Sequence, residues 1–483
     1  MQLRPHQQKA VEMLRDSLRK GKKRPILAAP CSFGKTITAA YMLSEAVKKG
    51  KRGFFFCDRV KLVQQALEVF DAQGLDVGVM QGQHQRTDYG ASIQIASIQT
   101  VARRPNIPQF DFAVVDECHV HYKSMQKIMD RYTAVPFIGL SATPYAKGLG
   151  LAYDQLIVPI TPSELLDKGY LAPVEYFGGK AVDVSKVGGR ALKTGGSDYD
   201  PLQLAEATEK DLTLTGDIIK NWIKYAEGRQ TIAFSPSIKH SRDMVAQFNE
   251  AGISAVHIDG YMDDEERQVI YRAHDRGEFL ILSCSRLLNV GYDAPKVSCL
   301  IDCFPTRSLI TYVQRAGRIM RTAEGKEKAI YLDHAGNVNR HGFAEYIVPD
   351  SLDMDDKRFS ERSQAKKEKA SNPINCPDCY RQFYGMRCVC GYTLPFKERI
   401  KTDGSELKKL ERKAKKQIDR GQWLAELSLY AYYQGYKPGW AAHIYRQKFG
   451  SWPNRVTPPK VNDISPEVMG FIKHCQIRRS HAR

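Results

Sequence analysis

No stretch of the 483-residue sequence approaches the roughly 18 uninterrupted apolar residues that a membrane-crossing helix needs. The opening segment MQLRPHQQKAVEMLRDSLRK is polar and lacks the apolar run of a secretory signal, so the chain is expected inside the cell, with no membrane partner. Repeats at a fixed period and heptad arrays are absent, which excludes solenoids and coiled coils. Eleven cysteines do not make a disulfide scaffold for a chain this long. Acidic residues are in deficit, 54 against 72 basic ones, for a net charge of +18. The apolar share, 42%, is ordinary for a globular protein and too high for a disordered one. At about 100–200 residues per domain, the length suggests three or so domains.

The acid deficit is local. Residues 351–483 hold 27 Lys and Arg against 14 Asp and Glu, a net +13, which leaves +5 for residues 1–350. A nearly balanced body carries a basic C-terminal piece. That asymmetry points to a polyanion, usually nucleic acid; the alternative is a merely soluble basic surface.

Short β-branched and aromatic runs alternate with longer amphipathic segments over residues 1–345. Strand candidates are PILAA, GFFFC, IQIAS, DFAVVDE and FIGLS, then QTIAFS, SAVHID, FLILSC, VSCLID and KAIYLD. Helical patterns lie between them, at 35–49, 59–72, 211–226 and 237–251. This alternation predicts an α/β fold of parallel sheets with helices on both faces. There are too many strands for one sheet, and the Gly-rich stretch 177–200 is a natural divider. The expected organisation is a first α/β domain (1–160), a connecting segment with a Gly-rich insertion (161–210) and a second α/β domain (211–350). A basic linker (351–373), a cysteine module (374–396) and a basic, aromatic helical region (397–483) follow.

APCSFGKT, residues 29–36, follows an apolar strand and opens a helix. Phosphate binding asks for backbone N–H groups aimed at oxygens, a lysine for the β- and γ-phosphates and a hydroxyl for Mg²⁺. Pro30, Cys31, Ser32, Phe33 and Gly34 form the candidate loop, and Lys35 and Thr36 fill the last two roles. The helix adds the positive end of its dipole. The first position is Ala29 rather than Gly, and Phe33 is bulky where a small residue is usual. An ordinary strand-to-helix turn is the alternative. FAVVDECH (112–119) delivers Asp116 and Glu117 at the end of a second apolar strand, one carboxylate suited to Mg²⁺ and the other to polarising water.

GKT, DECH, SAT (141–143) and QRAGRIMR (314–321), in this order, resemble motifs I, II, III and VI of the superfamily 2 DExH-box helicases. LRPHQQKAV (3–11) resembles that superfamily's adenine-reading segment, and LLNVGYDAP (287–295) its motif V. LRPHQ, DECH, GYDAP and YLDHAGN (331–337), followed by a cysteine cluster, are most similar to RadD-like DNA repair helicases, phage-borne relatives included; UvsW-type branch-remodelling helicases are the close alternative. The resemblance implies two RecA-like domains in tandem with ATP between them, in the cytoplasm of a bacterial or phage-infected cell. Arg4 and Gln7 would read adenine, and Lys35 and Thr36 would hold phosphate and Mg²⁺. Asp116 would bind metal and Glu117 would activate water. His119, Ser141 and Thr143 would couple hydrolysis to closure and to the nucleic acid. Gly291 and Asp293 would touch the ribose and phosphate region, and Gln314, Arg318 and Arg321 would reach the γ-phosphate. QRAGRIMR alone also reads as a solvated basic helix face, with Arg315 turned to solvent.

The nucleic-acid path is expected at the carboxyl edges of both sheets. Arg59, Ser97, Gln99, Ser235 and Ser237 are candidates there, with a helix cap the alternative role for each serine. Cys376, Cys379, Cys388 and Cys390 give C-x2-C, eight residues, then C-x-C. Two such thiolate pairs can close a structural Zn²⁺ site of the zinc-ribbon kind, although the second pair is one residue short of the usual knuckle. A very basic helix is expected from Lys408 and Lys409 through Arg412 and Lys416 to Arg420, facing a DNA backbone or only solvent. The aromatics from Tyr430 to Trp452 suit either base stacking or the core of a small helical domain.

The reading is therefore an ATP- and Mg²⁺-dependent DNA helicase or translocase acting on single-stranded, branched or damaged DNA in replication, recombination or repair. Protein partners are expected, if anywhere, at the C-terminal region. The rivals are an RNA helicase on the same motor and a zinc-containing DNA-binding protein whose ATPase has degenerated.

Overall fold

The computed structural model describes residues 2–472 except 122, 180–183, 193–196, 211–217, 286, 288–291, 293, 355–373, 376–381, 384–405, 411–419, 438, 450–452, 454–460, 462, 466–467 and 470. Strands β1 (Pro25–Ala28), β2 (Gly53–Cys57), β3 (Val77–Met80), β4 (Ile93–Ser97), β5 (Phe112–Val115), β6 (Phe137–Ser141) and β7 (Gln155–Ile157) form one sheet. Its order is β3-β4-β2-β5-β6-β1-β7 and every pair is parallel. Helices Lys35–Val47 and Val60–Ala72 bury Leu43, Val63, Leu67 and Phe70 against it. With both faces covered, the inner strands are buried end to end, which is why they read as continuous apolar runs.

The chain then enters β8 (Val174–Gly178) and a two-stranded antiparallel ribbon, β9 (Gly189–Ala191) with β10 (Ser197–Tyr199). Strands β11 (Thr231–Phe234), β12 (Ala255–Ile258), β13 (Ile281–Cys284), β14 (Cys299–Asp302) and β15 (Ala329–Asp333) follow. After a short antiparallel pair, β16 (Ile374–Asn375) and β17 (Gln382–Phe383), comes β18 (Lys408–Lys409). The second sheet runs β12-β13-β11-β14-β15-β8-β18, parallel except for the last strand. Phe234, Asp302, Asp333 and Gly178 are successive register partners, so the loops after all four leave one carboxyl edge.

Two expectations are corrected here. Residues 174–178 lie in the segment taken as a connection, yet they form β8, paired with β15 in the second sheet. Lys408 and Lys409 are not on a basic helix; they form β18, antiparallel to β8. The exposed edge of β8 needs a hydrogen-bonding partner, and that long-range demand overrides the local helical preference of a Lys-rich segment. Lys409 Nζ donates to Glu175 Oε1 at 2.6 Å, so this lysine is held by protein. Arg412 and Lys416 lie outside the described residues, as do Gly291, Asp293, Cys376, Cys379, Cys388 and Cys390.

Beyond the second sheet the chain returns to the first domain. Gly148 N donates to Asp353 Oδ1 and Gly150 N to the Asp353 carbonyl, both at 2.8 Å, and Tyr145 Oη donates to the Ile347 carbonyl at 3.3 Å. Leu352 packs on the first domain's core.

Residues 1–410 form one compact unit and 411–483 another. In the second, helices Arg420–Tyr433 and Gly439–Phe449 bury Trp423, Leu427, Ile444 and Tyr445 with Val468 and Ile472. Tyr430 stacks on Trp440 with centroids 5.5 Å apart, whereas Tyr432 and Tyr433 are exposed. Tyr430, Trp440 and Tyr445 thus serve a small core, and Tyr436 is exposed like Tyr432 and Tyr433. Among the described residues, no helix is long and apolar enough to cross a membrane.

Candidate nucleotide site

Between β1 and helix Lys35–Val47, residues 29–34 form the phosphate loop. Ala29 N is tied to the Ser141 carbonyl at 2.8 Å, which fixes the loop against β6. Ser32 and Gly34 both have positive φ, 62° and 86°. Successive residues of unlike handedness curl a backbone sharply, the kind of turn that can present N–H groups to an anion. A Cβ on Gly34 would run into the Gln7 amide nitrogen, so only glycine fits. Bulky Phe33 is accommodated because its ring is fully buried in the core and meets the His6 ring edge-on at 5.0 Å.

Gln7 is buried and spends its amide locally. Its Oε1 accepts from Arg4 N at 2.8 Å, and its Nε2 donates to the Phe33 carbonyl at 2.9 Å. Arg4 lays its guanidinium over the Tyr170 ring at 4.6 Å. Arg4 and Gln7, the expected adenine readers, therefore border the loop, and Tyr170, which no sequence motif marks, joins them.

Lys35 Nζ donates to Glu117 Oε1. Burial works against the lysine's charge, but the Glu117 and Asp116 carboxylates outweigh it and hold the ammonium firmly protonated. Burial pushes both acids up as well. For Glu117, Lys35, His119 and Arg318 reverse the effect and leave the carboxyl well below its usual range. For Asp116, burial and the neighbouring Glu117 charge prevail over Lys35, and the net direction is upward. A carboxylate so placed beside a second one suits a hard dication with oxygen ligands, and Thr36 opens the adjoining helix; this donor set fits Mg²⁺. Glu117 sits at φ 45°, a strained value for a non-glycine residue and one that recurs where function demands it.

His119 is fully enclosed and joins three motifs. Its Nδ1 lies 2.9 Å from Ser141 Oγ and 3.2 Å from Glu117 Oε2. Its Nε2 lies 3.3 Å from Gln314 Nε2, in the second domain. The Gln314 amide nitrogen can only donate, so in this arrangement His119 Nε2 accepts and Nδ1 carries the proton. Ser141 Oγ also accepts from Thr143 N at 3.0 Å. The expected coupling residues are thus in contact.

Helix Leu309–Ile319 brings Gln314 and Arg318 to this edge. Arg318 Nη1 donates to the Tyr292 carbonyl at 2.6 Å. Burial lowers the affinity of its guanidinium for the proton, while Cys31 and Glu117 raise it, which places Arg318 in the field of the phosphate loop. The two domains meet so closely that a Cβ on Gly317 would strike Cys31 Sγ. Arg321 lies near Lys326, whose pKa burial, Arg321 and Arg229 together lower to about 7. Arg315 is fully buried and bonded to Asp302 and the Phe304 carbonyl, against the expectation of a solvent-facing side chain.

The nucleic-acid candidates separate. Arg59 is exposed at the carboxyl end of β2. Ser97 caps helix Ile98–Arg103 through Thr100 N and donates to Gln99 Oε1; Gln99 Nε2 donates to the Asp58 carbonyl at 2.8 Å. Ser237 caps helix Ile238–Glu250, and Ser235 is fully buried beside His240. Ser97 and Ser237 thus take the capping role, and the Ser235 hydroxyl is buried.

Two family models match the chain: "Type III restriction enzyme, res subunit" over residues 1–146 and "Helicase conserved C-terminal domain" over 215–323. A 51.5 kDa protein of a Lactococcus phage is 29% identical over 384 residues, spanning 77% of this chain and 79% of the phage protein. The putative mitochondrial ATP-dependent helicase irc3 of Schizosaccharomyces pombe is 21% identical over 415 residues, 81% of this chain and 66% of that protein. Among solved structures, the DNA-bound ATP-dependent type ISP restriction-modification enzyme LlaBIII superposes with a TM-score of 0.52 at 18% identity. It covers 69% of this chain, which spans 27% of that enzyme.

Proposed function

We infer that the chain, which belongs to superfamily 2 of the helicases, is an ATP-driven DNA motor that moves along or unwinds branched or damaged DNA in replication, recombination or repair. The contact of His119 with both Glu117 and Gln314 carries this reading, because it joins the water-activating carboxylate to a residue of the opposite domain. ATP binds with its phosphates on the 29–34 loop and its base beside Gln7 and Arg4. Lys35 leaves Glu117 for the phosphates as they arrive, which frees Glu117 to orient the attacking water. Mg²⁺ held by Thr36 and Asp116 would neutralise phosphate charge. Arg318 supplies positive charge from the second domain, so hydrolysis depends on closure and each cycle can step one domain past the other. The RadD-like motifs support a repair substrate, and the C-x2-C and C-x-C spacing supports a structural zinc ion on Cys376, Cys379, Cys388 and Cys390.

The test is an ATPase assay with single-stranded, duplex, forked and four-way DNA and matched RNA. DNA is expected to stimulate hydrolysis, and Lys35→Ala to abolish it. Arg318→Ala is expected to lower kcat by about 10³–10⁵, the range for an arginine finger. Stimulation by RNA alone would reassign the substrate; no stimulation by any nucleic acid would overturn the motor.

A further inference from the structure

The β9–β10 ribbon belongs to neither sheet, and every residue of β9 is exposed. It is nevertheless anchored to the loop leaving the carboxyl end of β14. Asp198 accepts from Thr306 Oγ1 at 2.6 Å and from Arg307 N at 2.8 Å. The Arg307 guanidinium lies 4.2 Å over the Tyr199 ring, with Arg340 at 5.8 Å, and Arg307 Nη2 donates to the Val187 carbonyl at 3.2 Å.

The exposed charge around this anchor is mainly basic. Lys186, Arg190 and Arg307 are exposed and Arg340 is half-buried. Of the nearby carboxylates, Asp198 is committed to the anchor, and Asp200 accepts from the backbone of Leu202 and Gln203, both at 3.1 Å. The site opens on the same carboxyl edge as the loop after β11, since Phe234 and Asp302 are register partners.

The anchor also leads inward. Thr306 Oγ1 accepts from Ser308 N at 3.0 Å, and Ser308 Oγ caps helix Leu309–Ile319 by accepting from Thr311 N at 3.2 Å. That helix carries Gln314 and Arg318. Three hydrogen bonds therefore connect the ribbon to the helix that faces the nucleotide loop.

We propose that the ribbon and its basic surround, Lys186, Arg190, Arg307 and Arg340, form a nucleic-acid backbone contact of the second domain that is wired to the Gln314–Arg318 helix. The inference rests on the motor reading and adds to it a site where strand engagement reaches the ATPase. The occupant is a phosphate backbone: Lys186 before the ribbon, Arg190 within β9 and Arg307 beside the anchor are exposed, and Arg340 lies next to the same Tyr199 ring.

The experiment measures binding of the full chain to forked DNA by fluorescence anisotropy between 50 and 200 mM salt, alongside ATPase at saturating DNA. Lys186→Gln with Arg190→Gln is expected to raise Kd about tenfold and to reduce the slope of log affinity against log salt by about 2, one per lost phosphate contact. Asp198→Asn keeps the cations but cuts the wiring. It is expected to bind DNA within about threefold of wild type while losing most of the stimulation at saturation. An unchanged Kd and slope in the double variant overturns the contact, and undiminished stimulation in Asp198→Asn overturns the wiring. Wild-type protein that binds no DNA overturns the motor reading itself, a result distinct from either.

Discussion

Arg315 lies at the centre of the second domain, its Nη1 donating to Asp302 Oδ1 at 3.1 Å and to the Phe304 carbonyl at 2.9 Å. The rings of Phe234 and Phe304 sit 4.8 and 4.5 Å from its guanidinium. Tyr331 Oη and Asn337 Nδ2 donate to the other Asp302 oxygen, at 2.6 and 2.8 Å. Removing one partner of a buried pair leaves the other charge uncompensated, which typically costs about 3–5 kcal/mol. Arg315→Ala should therefore lower the unfolding free energy by about that much in urea, with ATPase loss following unfolding rather than preceding it. A pH effect arises beside it. Burial, and then the Asp302 charge, raise Asp333 from 3.8 to about 7. Its proton thus binds more tightly in the folded chain than in the unfolded one. The stability this contributes is complete below pH 3.8 and is lost as pH rises through 7. Asp333→Asn keeps one acceptor oxygen but forfeits the bond from Val338 N at every pH, and it does not titrate. The gap in Tm between wild type and Asp333→Asn should narrow from pH 5 to pH 8; a constant gap would mean that Asp333 is ionised throughout.

At the scale of elements, the return segment 347–353 fastens the exit of the second domain to the loop after SAT. Asp353→Ala removes the acceptor of Gly148 N, a bond typically worth about 1 kcal/mol net. Amides of residues 145–152 should then exchange several-fold faster, while those of β1 and β6 stay protected. Which elements the sequence makes legible follows from where their information lies. The inner strands of both sheets are buried from end to end and mostly apolar, so GFFFC or KAIYLD announces itself. β7, β8 and β18 are short or carry polar residues, and they exist because a neighbour offers an unpaired edge. The site divides in the same way. Lys35, Asp116, Glu117 and His119 are written in local motifs. Tyr170 over Arg4, Gly317 against Cys31 and the burial of Arg315 are contacts across long sequence separations that no local pattern encodes.

At the scale of the whole molecule, the boundary at residue 410 makes a sharp prediction, because the first unit needs its last few residues. Leu407 is almost fully buried, its N accepted by Asn221 Oδ1 and its carbonyl bonded by Tyr225 Oη, both at 2.8 Å. Lys408 and Lys409 then cover the edge of β8. A chain ending at 410 keeps all of this and should remain soluble and hydrolyse ATP. A chain ending at 400 loses the Leu407 side chain from the core, at about 2–5 kcal/mol, and bares the strand edge. It should melt several degrees lower and aggregate. The residues beyond 410 carry 14 basic and 5 acidic side chains, so the 1–410 chain should bind DNA more weakly and with a shallower salt dependence than the full protein. If the 1–400 chain is as stable as the 1–410 chain, β18 contributes nothing to the second sheet, and the lysines it holds are available to nucleic acid after all.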